Sequence, residues 1–126
     1  MGISWRPRGK LKREIEACRT LLADRFPHAI ALKGWPKKPL KVGILGDIVS
    51  ASPDLDGHLV SLTLRDYTAG PTYLESILTS EVRVDLDGCQ AGPVTESQRG
   101  HARGLLKQWR TKAGYVAKGG VEQVAA

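Results

Sequence analysis

The chain has 126 residues, 41% of them apolar, with nineteen Lys and Arg against thirteen Asp and Glu for a formal charge of +6. That length makes one domain with a single core. It excludes a membrane span, since no apolar run approaches the roughly 20 residues one needs, and the start has neither a signal-peptide core nor, with Arg6 in place of Ser or Thr, a myristoylation signal. Cys18 and Cys89 form no CxxC pair and read as reduced thiols, so a cytoplasmic protein is the expectation.

Residues 1–9 are basic, broken by Pro7, and expected to form a flexible arm. From Lys10 to Phe26, Leu11, Ile15, Cys18, Leu22 and Phe26 recur at spacings of three and four, the stripe of an amphipathic helix that Pro27 ends. Lys12, Arg13 and Arg19 lie off that stripe. Residues 31–38 make a connector with Lys33, Lys37 and Lys38 around Trp35. An aromatic among cations can stack on a base, although Trp before Pro is more commonly a packed lid. Pro39 to Lys41 reads as extended, and Val42 to Val49 as a short helix burying Ile44, Leu45, Ile48 and Val49.

Ser52-Pro53-Asp54 has the features of a helix start: a capping hydroxyl, proline in the first turn, and an acid at the positive end of the dipole. That helix is expected to carry Leu55, Leu59 and Leu62 inward and to end near Tyr67. Thr68-Ala69-Gly70-Pro71 opens the next one. The free N–H groups of its first turn suit an anion, and no acid precedes Glu75, so the end is open to a phosphate; a plain helix cap is the other reading. Tyr73, Leu74, Ile77 and Leu78 form the buried edge.

Val82 to Leu86 alternates as a short strand with Arg83 and Asp85 on one face. Asp87-Gly88 turns the chain, and Gly92-Pro93-Val94 returns as the partner of a small hairpin. The spacing of Asp85, Asp87 and Glu96 approaches a calcium loop, but Cys89 takes a ligand place and Gln90 the glycine place, so no metal is expected. Thr95 to Gln98 is a capping box that opens a helix running to about Lys112. Ala102, Leu105, Leu106 and Trp109 form its apolar stripe, with Arg99, Arg103, Lys107 and Arg110 gathered beside it within about 80° of arc. Such a basic stripe is a nucleic-acid footprint or a solvated face. Gly100 and Gly104 each cost about 1 kcal/mol of helix propensity there and leave room for another backbone. The tail 113–126 lacks periodicity and is expected to be disordered.

Charge is distributed unevenly. Residues 1–41 sum to +8, residues 42–98 to −7 and residues 99–126 to +5. The acidic middle keeps two bases, Arg65 and Arg83. Guanidinium is the group suited to gripping phosphate or carboxylate through a planar fork, which marks both arginines as a site. There is no Walker loop, HExxH or GxSxG, and His28, His58 and His101 are scattered. No catalysis, cofactor or small-molecule substrate is expected.

PLKVGI at 39–44, RDYT at 65–68, TYL at 72–74 and RVDLDG at 83–88, followed by GPVT at 92–95, resemble the ProQ/FinO RNA-binding family over residues 10–112. In one place the chain departs from the pattern. The family has an arginine one turn before its second basic position, and Ser61 stands there, so part of the usual basic surface is missing. The resemblance implies a mostly helical α+β domain of about five helices with a small β-hairpin. It implies a monomeric RNA chaperone of small-RNA post-transcriptional regulation that recognises the stem and single-stranded 3′ end of terminator-type hairpins. By position it assigns Lys41, Arg65, Tyr73 and Arg83 to a pocket for the 3′-terminal nucleotides. Thr68, Ala69, Gly70 and Thr72 would hold a stem phosphate. Lys37, Lys38, Arg99, Arg103, Lys107 and Arg110 would form the peripheral basic surface. Two other classes fit the residues: a DNA-binding regulator reading a groove with helix 96–112, and a protein-interaction module anchored by Trp35 and Trp109.

Overall fold

The computed structural model describes residues 6–112; residues 1–5 of the expected arm and the expected tail at 113–126 lie outside the described residues. Five helices and one hairpin follow in chain order: α1 (Gly9–Arg25), α2 (Ile44–Ala51), α3 (Gly57–Ala69), α4 (Pro71–Thr79), β1 (Val82–Val84), β2 (Gln90–Pro93) and α5 (Glu96–Lys112). The α+β class is as expected. Helix α1 packs on α3 and α4 on α5, while α2 and α4 both touch α3.

Periodicity explains most of the core. On α1 the stripe buries Ile15, Cys18 and Leu22, and Phe26 stops the helix just before Pro27. On α5 it buries Ala102 and Leu106. The capping box forms as read: Thr95 Oγ1 accepts from the Gln98 N–H at 3.1 Å, and Gln98 Oε1 accepts from the Thr95 N–H at 2.9 Å. Strands β1 and β2 pair antiparallel, with a bulge between Val82↔Pro93 and Val84↔Gln90. Pro39 to Lys41 is extended and runs beside β1. The Lys41 N–H donates to the Val84 carbonyl and the Val84 N–H to the Pro39 carbonyl, at 2.8 and 2.9 Å.

Three local expectations fail for identifiable reasons. Helix α2 begins only at Ile44, after a turn closed by its N–H on the Lys41 carbonyl. Val42 and Val49 therefore face outward, and only Ile44 and Ile48 are fully buried. Ser52-Pro53-Asp54 does not start α3. Ser52 ends α2, its N–H on the Ile48 carbonyl, and the Asp54 carboxylate is taken by a two-pronged hydrogen bond from Arg25 at 2.9 and 2.8 Å. The cap falls to Asp56, whose Oδ1 accepts from the His58 N–H. Thirdly, α3 presents Val60, Thr63 and Tyr67 to the core. Leu55, Leu59 and Leu62 are only half-buried, along an open groove with Leu11 and Leu21 of α1.

The hairpin turn is held by Asp85, whose Oδ1 accepts from the N–H groups of Asp87 and Cys89 at 2.9 Å each. The carboxylate thus has a structural job. Among the described residues no group of three or more His, Cys, Asp or Glu could hold a metal ion, and no helix is long and apolar enough to cross a membrane.

Two glycines should respond oppositely to alanine. Gly88 has φ 84, and a Cβ there would stand 2.8 Å from the His28 Cβ. Gly88→Ala is expected to destabilise by at least ~1–2 kcal/mol, the cost of the left-handed conformation for an L residue. Gly104 is helical with nothing within 4 Å of an added methyl. Gly104→Ala should stabilise by ~0.5–1 kcal/mol. Urea unfolding of both variants measures the two signs.

Candidate nucleic-acid interface

Residues 31–40 contain no helix or named strand, yet their backbone is pinned at both ends. At one end the Ala31 N–H donates to the Tyr67 hydroxyl at 2.9 Å, and the Ala31 carbonyl accepts from Arg19 Nε and Nη2 at 3.2 and 3.1 Å. At the other end the Leu40 N–H donates to the Tyr73 hydroxyl at 2.9 Å, and the Leu40 carbonyl accepts from Arg83 Nη1 at 2.8 Å. Buried main-chain polar groups must find partners, and tyrosine and arginine side chains supply all four here. The two tyrosine rings themselves meet, centroids 6.1 Å apart and tilted by 58°.

Lys41, Tyr73 and Arg83 are thereby gathered around one residue, Leu40. Tyr73 and Arg83 also line a common cleft of ≈ 560 Å³ with Thr68, Ser97, Gln98 and His101, within the usual range of ligand clefts. Tyr73 is 7% exposed, so its ring is not a stacking surface. Its hydroxyl accepts from the Leu40 N–H, and a phenol can donate as well as accept. Arg83 is half-buried, and its Nε is one of two buried polar side-chain atoms without a hydrogen-bond partner among the described residues. Lys41 Nζ lies 2.8 Å from Asp47 Oδ2 in the first turn of α2. That hydrogen bond, then the Asp47 charge, raises the lysine pKa. Arg65 is exposed on α3 and does not line the cleft.

The start of α4 is open. Gly70 is its N-cap with Pro71 in the first turn; no side chain caps it and no acid lies in that turn. Thr72 is exposed there, whereas the Thr68 hydroxyl donates back to the Leu64 carbonyl. The Ala69 carbonyl accepts from Trp109 Nε1 at 3.0 Å, and Arg6 lies over the Trp109 ring at 4.4 Å from its centroid. Trp109 is therefore used internally, bracing the α3–α4 corner, and is no free anchor for a protein partner.

The basic periphery is thinner than the sequence suggests. Arg99 is turned inward to the Ser80 carbonyl at 3.1 Å, and Glu96 lies 3.6 Å from both Arg99 and Arg103. Lys38, Lys107 and Arg110 are exposed. Lys37 is not: its ammonium donates to the Tyr67 carbonyl at 2.8 Å and sits 4.4 Å from the centre of the Tyr67 ring.

Comparison with known proteins decides the family. Residues 13–118 match the model of the ProQ/FINO family. The chain belongs to that family. An RNA chaperone ProQ of Idiomarina loihiensis is 42% identical over 96 residues, covering 72% of this chain and 45% of that protein. One from Aliivibrio fischeri is 35% identical over 94 residues, with the same coverage. The chain thus spans about half the length of the curated relatives it matches. A ProQ homolog from Legionella pneumophila, solved by NMR, superposes with a TM-score of 0.63 at 28% identity over 82% of this chain and 85% of that one. A FinO-like RNA chaperone from Neisseria meningitidis superposes equally well at 23% identity, over 79% and 82% of the two chains, a likeness of fold.

Sequence reasoning missed two parts of this candidate site. Gln98 and His101 form the α5 wall of the cleft; His101 precedes the buried Ala102 and sits four residues before Leu105, an edge position that the helical stripe does mark. Arg19 and Tyr67, which hold Ala31, leave no local signal because their partners are 12 and 36 residues away.

Burial first, and the Arg19 guanidinium second, lower the Lys37 pKa from 10.5 to about 8, with Asp66 opposing. An amine whose folded pKa lies below its unfolded one binds fewer protons when folded across that interval, so stability rises with pH there. Between pH 8 and about 9.5, before the tyrosines titrate, the wild type should gain stability relative to Lys37→Met. Parallel urea-unfolding profiles for the two proteins would show that Lys37 stays solvated.

Proposed function

We propose that the chain is an RNA-binding domain of RNA-chaperone type that takes the stem and single-stranded 3′ end of terminator-type hairpins, in small-RNA regulation. The observation that carries this reading is the convergence of Lys41, Tyr73 and Arg83 on Leu40, with the cleft reaching Thr68 at the foot of an uncapped helix start. A-form RNA has a major groove too narrow for side chains, so proteins read its backbone, shape and free ends. In this account the cations of Lys41 and Arg83 hold the last phosphates, and the Tyr73 proton meets a sugar or phosphate oxygen. Arg65 approaches from the exposed side of α3. Of the turn Thr68 to Thr72, Thr68 and Ala69 belong to α3 and Pro71 has no N–H, so the first-turn N–H groups of Thr72 and Tyr73 receive a phosphate of the stem, for which a helix N-terminus is suited. Lys38, Arg103, Lys107 and Arg110 add long-range attraction. The relatives are named RNA chaperones, which supports the same class. The domain would act as a cytoplasmic monomer without catalysis.

Groove reading of DNA by α5 is less favoured, because Arg99 and Arg103 already lie near Glu96. Arg83→Ala should weaken binding of a hairpin with a 3′ uridine tail by about 1.5–3 kcal/mol, the worth of a charge-assisted hydrogen bond, with circular dichroism unchanged. Unaltered affinity in the folded variant, or a preference for duplex DNA over that hairpin, would refute the reading.

A further inference from the structure

Trp35 was expected to pack as a lid, and it does not. It is 67% exposed, and Leu32 beside it is 49% exposed. The indole is nonetheless presented on a rigid support. Leu32 to Trp35 form a four-residue turn closed by the Trp35 N–H on the Leu32 carbonyl at 3.1 Å. Gly34, third in that turn, has φ 92, the positive φ that a type II turn requires at this place. Pro36 follows and restricts Trp35 to extended backbone. One step on, the Lys37 ammonium is fastened to Tyr67, and beyond it Leu40 is fastened to Tyr73. A large apolar side chain carried by a backbone that a turn, a proline and two tethers restrain has little backbone freedom left to lose on binding.

Its surroundings are cationic. Lys33 is exposed, with only a loose pair to Glu16 at 3.9 Å, and Lys38 is exposed. Two acids of the neighbouring helices act on these lysines: Glu16 faces Lys33, and Asp66 acts on the half-buried Lys37. Nucleobases stack on aromatic rings while flanking phosphates take the cations, and this combination tolerates any base. A protein partner would need the same apolar tip to meet acidic groups. An unpaired nucleotide satisfies both demands at once.

We propose that Trp35 is a stacking platform for an unpaired nucleotide of the bound RNA, with Lys33 and Lys38 taking the phosphates on either side. The site lies on the connector outside the cleft, so it takes a nucleotide other than those held by Tyr73 and Arg83. It rests on the RNA-binding reading and adds to it a contact with single-stranded RNA flanking the stem. Because stacking reads no base edge, the contact is indifferent to base identity.

The test uses the full chain and two fluorescently labelled RNAs sharing one stem and one 3′ uridine tail, with and without four unpaired nucleotides on the 5′ side. Trp35→Ala should weaken the flanked RNA about five- to a hundredfold, the range for losing a base–aromatic stack, and Trp35→Phe should restore most of it. The RNA lacking the 5′ flank should lose clearly less. Equal losses on both RNAs, or none on either while Arg83→Ala still weakens them, would overturn the platform and leave the proposed function standing. If the wild type binds neither RNA, the proposed function fails and the platform with it.

Discussion

Two phenol hydroxyls accept main-chain N–H groups from one irregular segment, and the arrangement of the site depends on that pair of hydrogen bonds. Tyr67, near the end of α3, holds Ala31; Tyr73, in the first turn of α4, holds Leu40. A loop of ten residues rich in lysine and proline has no ladder of its own to satisfy its backbone. Left unpartnered in the interior, each such N–H costs about 1–3 kcal/mol. The tyrosines remove that cost and set where the connector runs. Arg19 and Arg83 complete the pinning from the carbonyl side. The connector then brings Lys41 to Asp47, Lys37 to Tyr67 and Trp35 to solvent.

Several acids of the acidic middle of the chain are paired. Its carboxylates have local partners: Asp47 with Lys41, Asp54 with Arg25, Glu96 near Arg99 and Arg103, and Asp85 with the N–H groups of its own turn. Exposed pairs of this kind contribute little stability, about 0–1 kcal/mol each. Their effect is on the field, since a paired carboxylate presents less net negative charge than a free one. Arg83 has no carboxylate partner among these pairs and instead grips a carbonyl. A guanidinium without a carboxylate on it suits phosphate.

What the sequence made legible, and what it did not, follows the range of the interactions. The capping box at Thr95–Gln98, the Gly70-Pro71 helix start, the amphipathic stripe of α1 and the Asp87-Gly88 turn rest on residues within a few positions of one another, and each formed as read. The Ser52-Pro53-Asp54 start has equally good local chemistry and failed, because Arg25, 29 residues away, takes the Asp54 carboxylate. The gathering of Lys41, Tyr73 and Arg83 was available only through the resemblance to a family; spacings of 33 and 43 residues carry no periodic signal. Lys37 reads as a surface cation and is half-buried on Tyr67, while of the two readings of Trp35, lid or open aromatic, the ring is exposed. For both, composition identified the residue and the tyrosine tethers decided its direction.

In the proposed function, donors fixed around Leu40 recognise the end of an RNA chain and do more than attract its charge. Adding a phosphate to the 3′-terminal hydroxyl of a tailed hairpin separates these two effects by sign. Attraction alone makes the more highly charged RNA bind more tightly to this basic domain, whereas a pocket built around the free end rejects the added group. Titrating both RNAs at one salt concentration should show the phosphorylated end binding at least tenfold more weakly, about 1.4 kcal/mol. Equal or tighter binding of the phosphorylated end would contradict the account.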